Sequence, residues 1–225
     1  KDFTELGSGF KIAMRDLSIR GAGNLLGAQQ HGFIDSVGFD LYSQMLTEAV
    51  QRKQGKNTQT EKTSVEIDLG IDAYLPTTYI EDERQKIEIY KRIRELETID
   101  MLDELQDDLM DRFGEYPDEV AHLLAVGELK MNGDRALLER IRKQEQLITV
   151  VLSKVGTKAY TVEQLFKSLG HTKLKATLGV EKEQMHLKLT IPNGMKTMVW
   201  LHEVQSFVAD LRKERYQTMK EKTTQ

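Results

Sequence analysis

The sequence predicts an α+β chain, with a helix-rich domain and a small sheet over residues 65–218. Three observations predict it. Val65-Glu66-Ile67-Asp68-Leu69 alternates apolar and charged residues, the period of a half-buried strand. Residues 80–129 instead repeat aliphatic side chains at spacings of three and four, the period of amphipathic helices. The remainder mixes β-rich runs such as QLITVVL (146–152) with one long helical pattern at the end.

Taken in order, residues 38–52 place Phe39, Tyr42, Met45, Leu46 and Ala49 on one face of a helix. QGKNTQTEKTS (54–64) has no aliphatic or aromatic residue and reads as an exposed linker between an arm, 1–53, and the domain. After the strand at 65–69, Pro76 interrupts, and Thr78-Tyr79-Ile80-Glu81 offers a capping box for a helix to about Leu96. Its expected stripe is Ile80, Arg84, Ile87, Tyr90 and Ile93. A second helix, about 98–113, carries Leu102, Leu105, Leu109 and Phe113, with Gly114 suited to its C-terminal cap. Pro117 fits the first turn of a third helix carrying Val120, Leu123, Leu124 and Leu129, which Asn132-Gly133 should break before a short helix at 134–143. Beyond it come a strand at 146–152, a helix opened by the capping box Thr161-Val162-Glu163-Gln164 and ended by Gly170, and strands at 174–178 and 185–191. His186 is expected at an exposed strand position. A long helix from Met195 to about Tyr216, with Val199, Trp200, Val204, Phe207, Val208 and Leu211, precedes a tail at 219–225.

Charge is unevenly spread over the 225 residues, whose net charge is −4. Residues 81–143 hold 18 acidic and 11 basic side chains, whereas 144–225 hold 8 acidic and 13 basic. An acidic middle section repels a phosphate backbone, which points it towards protein partners. There are no cysteines, so disulfides and thiolate chemistry are excluded and a reducing, cytoplasmic setting is expected. No apolar run approaches the roughly 18 residues that cross a bilayer, so no membrane partner is expected. The first residue is Lys1, with no basic-then-apolar leader after it, and the chain is expected to be a fragment or processed product.

The glycine-rich stretch DLSIRGAGNLLGAQQHG (16–32) is the candidate for chemistry. A dinucleotide fingerprint needs Gly-x-Gly-x-x-Gly behind a buried strand, but Leu26 takes the third glycine's place. The preceding FKIAMRDLSIR carries Arg15 and Asp16 where such a strand is apolar. Gly55-Lys56-Asn57 lacks the Ser or Thr of a phosphate-binding loop. The five histidines show no zinc spacing, and no Gly-x-Ser-x-Gly elbow occurs. Carboxylate pairs such as Asp107-Asp108 read as a solvated helix face. The chain is therefore not expected to be an enzyme on its own.

Residues 10–45 resemble the TRG (translocation in RecG) motif, through Asp16-Leu17-x-x-Arg20-Gly21-x-Gly23, Leu26-Gly27 and Gln30-x-Gly32. That motif is shared by the RecG helicases and the bacterial transcription-repair coupling factors (Mfd). LPTTYIEDERQKIEIYKRI (75–93) and LMDRFGEYPDEVAHLL (109–124) resemble the C-terminal domain of the second family only. The resemblance covers most of the chain and is weakest beyond Gln144. It implies a helical hairpin and loop at 1–53 that relays ATP-driven motion of motor lobes into steps along double-stranded DNA. Arg20 and Gln30 are the implied coupling residues, beside Asp16, with Gly21, Gly23 and Gly27 shaping the loop.

The chemistry suits such a role. An arginine fork grips a phosphate or carboxylate at two points, and an amide can exchange donor for acceptor as states change. On the residues alone, Asp16 and Arg20 also fit an ordinary helical ion pair worth roughly 0.2–0.5 kcal/mol, and Gln30 a turn cap.

The resemblance further implies that the domain docks on an N-terminal UvrB-like module and masks the surface that recruits UvrA. Arg112 and Glu115 are its candidate docking residues, and ATP and Mg would sit in motor lobes outside this chain. RNA polymerase is the implied target of the whole machine, and the location a nucleoid-associated cytoplasmic one. Two other readings stand beside this one. One is a stand-alone protein-interaction module with a glycine-rich arm; the other, a nucleotide-binding enzyme, is disfavoured by the missing strand.

Overall fold

A computed structural model describes residues 61–224; the segment holding Asp16, Arg20, Gly21, Gly23, Gly27 and Gln30 lies outside the described residues. The described chain begins with strand β1 (Glu66–Asp68), followed by helices α1 (Glu83–Arg94), α2 (Ile99–Phe113) and α3 (Asp118–Arg135). A hairpin of β2 (Leu138–Gln144) and β3 (Leu147–Leu152) leads to α4 (Lys154–Ala159) and α5 (Val162–His171). A second hairpin, β4 (Lys175–Glu181) and β5 (Gln184–Thr190), precedes the closing helix α6 (Thr197–Thr224).

The five strands form one mixed sheet in the order β1-β2-β3-β5-β4. Only β1 and β2 are parallel, with Ile67 beside Ile141, and three helices make the crossover between them. Ile67, Ile141, Val150 and Leu187 share a row across the sheet and are buried, as are Ile148 and Leu189 in the next row. α3 packs on the β1–β2 side of the sheet, α5 on β4, and α6 against both helices. α3 is buried almost all round, which suits a helix held between sheet and neighbouring helices. One core runs from Val65 to Leu211, so residues 144–218 are not a separate unit.

Several expectations give way to tertiary structure. The first helix starts at Glu83, not near Thr78: the Pro76 carbonyl accepts the Tyr79 and Ile80 amides in a turn, and Asp82 caps Gln85. Its buried side is Lys86, Ile89, Tyr90 and Ile93, with Arg84 exposed. Pro117 stands one place earlier than expected, as the N-cap of α3. Asn132-Gly133 does not break α3. An added Cβ on Gly133 would lie 3.0 Å from Val65 Cγ1, so the glycine admits β1's approach, while Asn132 accepts Arg212 at 3.0 Å.

The short helix expected at 134–143 is largely strand β2, in which Ile141 is buried between Ile67 of β1 and Val150 of β3 and Leu138 pairs with Leu152. Gly170 lies inside α5, which runs on to His171. His186 is half-buried, with its ring 3.8 Å from Glu181. On α6, Val199 faces solvent and Leu201 takes the core place expected for it. The helix continues to Thr224, through the segment expected as a tail.

The strand at 65–69, α2, the Thr161 capping box, and both later strands stand as expected, and Thr98 proves to be the N-cap of α2. Gly114, at φ 83°, caps α2 by donating its N–H to Met110.

Candidate functional site

The α1–α2 corner carries both candidate docking residues, and its geometry comes from two i, i+4 pairs on facing helices. Glu88 and Arg92 are one turn apart on α1; Asp108 and Arg112 are one turn apart on α2. Arg112 grips Glu88 with both terminal nitrogens, Nη1 to Oε1 at 3.0 Å and Nη2 to Oε2 at 3.2 Å. Its Nη1 also donates to Asp108 Oδ2 at 3.1 Å, and Arg92 donates to the same oxygen. The guanidinium lies 5.0 Å from the Phe113 ring centre, a cation–π distance. Phe113 in turn meets Tyr79 with ring centres 5.8 Å apart, and the Tyr79 hydroxyl donates to the Gly114 carbonyl at 2.8 Å.

Arg112 is thus engaged on three sides within the domain although it is exposed, as is Glu115, one residue past the Gly114 cap. The exposed apolar side chains of α2, Ile99, Met101 and Met110, lie among Asp100, Asp103, Glu104, Asp107 and Asp111. Such a surface offers carboxylate acceptors and a few apolar contacts, and its potential complements a basic patch. Sequence reading missed Glu88 and Arg92 as partners here. The signal was the acid–base spacing of four on both helices, legible only once the two are known to face each other.

Hydrogen bonds from Arg92, then Arg112, hold the Asp108 carboxyl below its ordinary value of 3.8. A depressed carboxyl stabilises the fold at pH values above 3.8 and loses that contribution as pH falls through its lowered value. Arg92→Gln should therefore move the Asp108 titration upward towards 3.8, as followed by carboxyl NMR. An unmoved midpoint would show that Arg92 does not hold it.

A second concavity, 320 Å³, lies between α5 and α6 and is lined by Ser168, His171, Glu203 and Asp210 among others. His171 Nδ1 sits 2.7 Å from Asp210 Oδ2, and Glu203 accepts the Lys173 amide at 3.1 Å. Ser168 is fully buried and its hydroxyl has no hydrogen-bond partner, so Ser168, His171 and Asp210 do not form a nucleophile–base relay. Among the described residues no group of three or more His, Asp or Glu side chains is arranged to hold a metal ion. No helix among them is long and apolar enough to cross a membrane.

Comparison with known proteins places this geometry in context. A sequence profile described as the TRCF domain matches residues 69–182. The chain is 47% identical over 220 residues to the transcription-repair-coupling factor of Bacillus subtilis (strain 168), covering 97% of this chain and 18% of the relative. Identity is 50% over 209 residues with the protein of that name from Staphylococcus haemolyticus (strain JCSC1435), covering 92% and 18%. With that from Staphylococcus aureus (strain USA300) it is 52% over 194 residues, covering 86% and 17%. A crystal structure of the C-terminal domain of transcription-repair coupling factor superposes with a TM-score of 0.67 at 38% identity, covering 71% of this chain and 99% of that one. The chain therefore spans under a fifth of the length of these curated relatives.

Proposed function

Since this chain belongs to the transcription-repair-coupling factor family, we propose that it is the C-terminal part of an ATP-dependent double-stranded DNA translocase. That machine displaces RNA polymerase stalled at DNA lesions and recruits excision repair through UvrA. The observation that carries the reading is the match of residues 69–182 to the TRCF domain, with 99% of the solved C-terminal domain covered. The chain's part is coupling and regulation. ATP and Mg chemistry would fall to motor lobes elsewhere in the whole protein, since no complete phosphate-binding loop occurs in this sequence. A nucleoid-associated place in the cytoplasm goes with this role.

Two elements divide the work. The arm, 1–53, carries the TRG motif and relays lobe closure to DNA through Arg20 and Gln30, with Asp16, Gly21, Gly23 and Gly27 shaping the hairpin. The domain beginning near residue 65 docks on the N-terminal UvrB-like module through the α1–α2 corner. Arg112 and Glu115 are its contacts, and the docking covers the surface that binds UvrA. A modest interface binds weakly between separate proteins, but a tether raises the local concentration enough for it to close.

Arg20→Ala with Gln30→Ala in the whole protein should abolish polymerase displacement while leaving the fold intact; normal displacement would end the coupling role. Deleting residues 65–225 should increase UvrA capture. Unchanged capture would end the autoinhibitory one.

A further inference from the structure

We infer that Glu61–Val65 form a strap, locked by a buried polar cluster at the end of α3, that fixes the point at which the domain is mounted on the chain before it. Of the exposed linker expected over 54–64, Glu61, Lys62 and Ser64 are exposed, yet these last residues are hydrogen-bonded and ion-paired to the domain. Thr63 donates its amide to the Asp134 carbonyl at 2.9 Å and its hydroxyl to the Leu138 carbonyl, bridging α3 and β2. The Val65 amide donates to Asp134 Oδ1 at 2.8 Å. Lys130 Nζ lies 3.2 Å from the same oxygen, donates to Ser64 Oγ at 3.0 Å, and approaches the Val65 carbonyl at 3.4 Å.

Two wider contacts flank the cluster. Lys62 lies 3.7 Å from Glu97, in the α1–α2 connection, and Glu61 lies 3.7 Å from Arg215 on α6. Glu97 also accepts Arg135, and its carbonyl accepts Arg212 at 3.1 Å. The strap is thus tied to two helices, α3 and α6, to the α1–α2 connection and to β2 before β1 begins.

The reason for such a clasp lies in the strand after it. β1 pairs over only three residues, so a pull on the preceding chain would peel a ladder of little strength. The polar cluster stands on the pulled side of that ladder and meets the pull first. It also shortens the tether. Eleven residues, 54–64, could span at most about 36–40 Å, and seven residues, 54–60, at most about 23–25 Å. Since effective concentration falls as roughly the −3/2 power of tether length, opening the strap would lower it about twofold.

This consequence rests on the tethered docking proposed above; the strap itself does not. Amide hydrogen exchange on the 225-residue chain tests the strap directly, comparing it with Thr63→Val/Ser64→Ala. Thr63 and Val65 should be protected in the parent chain. In the variant their exchange should rise about tenfold, the loss of two side-chain hydrogen bonds, while Ile141, Val150 and Leu187 stay unchanged. Exchange at the free-peptide rate in the parent, or equal acceleration of strap and sheet in the variant, would overturn the inference.

In the whole protein the same variant should raise UvrA capture about twofold at low UvrA, against the larger rise from deleting 65–225. A deletion that raises capture beside a variant that does not overturns the mounting role. A deletion without effect sinks the docking reading and leaves the exchange rates to judge the strap.

Discussion

Gly156→Ala should lower the melting temperature of the chain by about 6–12 °C, which corresponds to roughly 3 kcal/mol in a protein of this size. Gly156 sits in the first turn of α4, where its amide donates to the Ser153 cap at 2.9 Å. A Cβ there would stand 2.4 Å from the Leu137 carbonyl oxygen and 3.0 Å from the Leu137 Cβ. The oxygen cannot step aside cheaply. It accepts both the Ser153 amide at 3.0 Å and the Ser153 hydroxyl at 2.8 Å, and Leu137 is already at a left-handed φ of 62°. The methyl must displace α4 or break those bonds, at about 1 kcal/mol per bond plus 1–3 kcal/mol of overpacking. Gly170→Ala is the control. Nothing lies within 4 Å of a Cβ at that helical position, and the change should gain up to about 1 kcal/mol. Thermal unfolding followed by far-UV circular dichroism reads both. Equal melting temperatures would mean that α4 does not press on Leu137 as described.

The same contact explains what a reader of the sequence could not see. α4 has six residues and no apolar stripe, so nothing in KVGTKA announces a helix; its position is fixed by Leu137, outside the segment. The hairpin turn Lys182-Glu183 is equally silent. Both residues have positive φ, 51° and 66°, as a two-residue turn of the primed type requires, yet neither is the Gly, Asn or Asp that signals one. β2 was misread for another reason. LERIRKQ has its apolar residues at Leu138 and Ile141, a spacing of three that suits a helix, and only a register shift between Leu138 and Arg140 reconciles it with a strand.

Where local chemistry suffices, the sequence was enough. Thr161 and Gly114 act as caps because the partners they need lie within four residues. The candidate site divides along the same line. Arg112 and Glu115 were legible as positions through resemblance, but the Glu88 and Arg92 contacts depend on how α1 meets α2, 24 and 16 residues away in the chain.

The second large effect concerns the buried cation beneath the strap. Lys130→Met should cost about 3–5 kcal/mol near neutral pH, because it leaves the Asp134 carboxylate buried without its counter-charge. Asp134 would retain only the Val65 amide on its Oδ1. The loss should depend on pH in a definite direction. Burial already raises Asp134 above its ordinary 3.8, against the opposing pull of Lys130, so removing Lys130 raises it further. A carboxyl raised in the folded state contributes its full stability below its unfolded value, and loses it as pH rises through the folded value. The variant should therefore lie nearest the parent below about pH 4 and fall progressively behind as pH rises towards 7. Lys130→Met/Asp134→Asn should recover most of the loss at pH 7 and show little of this pH dependence. The amide oxygen still accepts from Val65 and carries no charge. Urea unfolding between about pH 3 and pH 8 measures all three chains. A deficit independent of pH, or no recovery in the double variant, would mean that Lys130 acts by packing its stem and not by balancing Asp134.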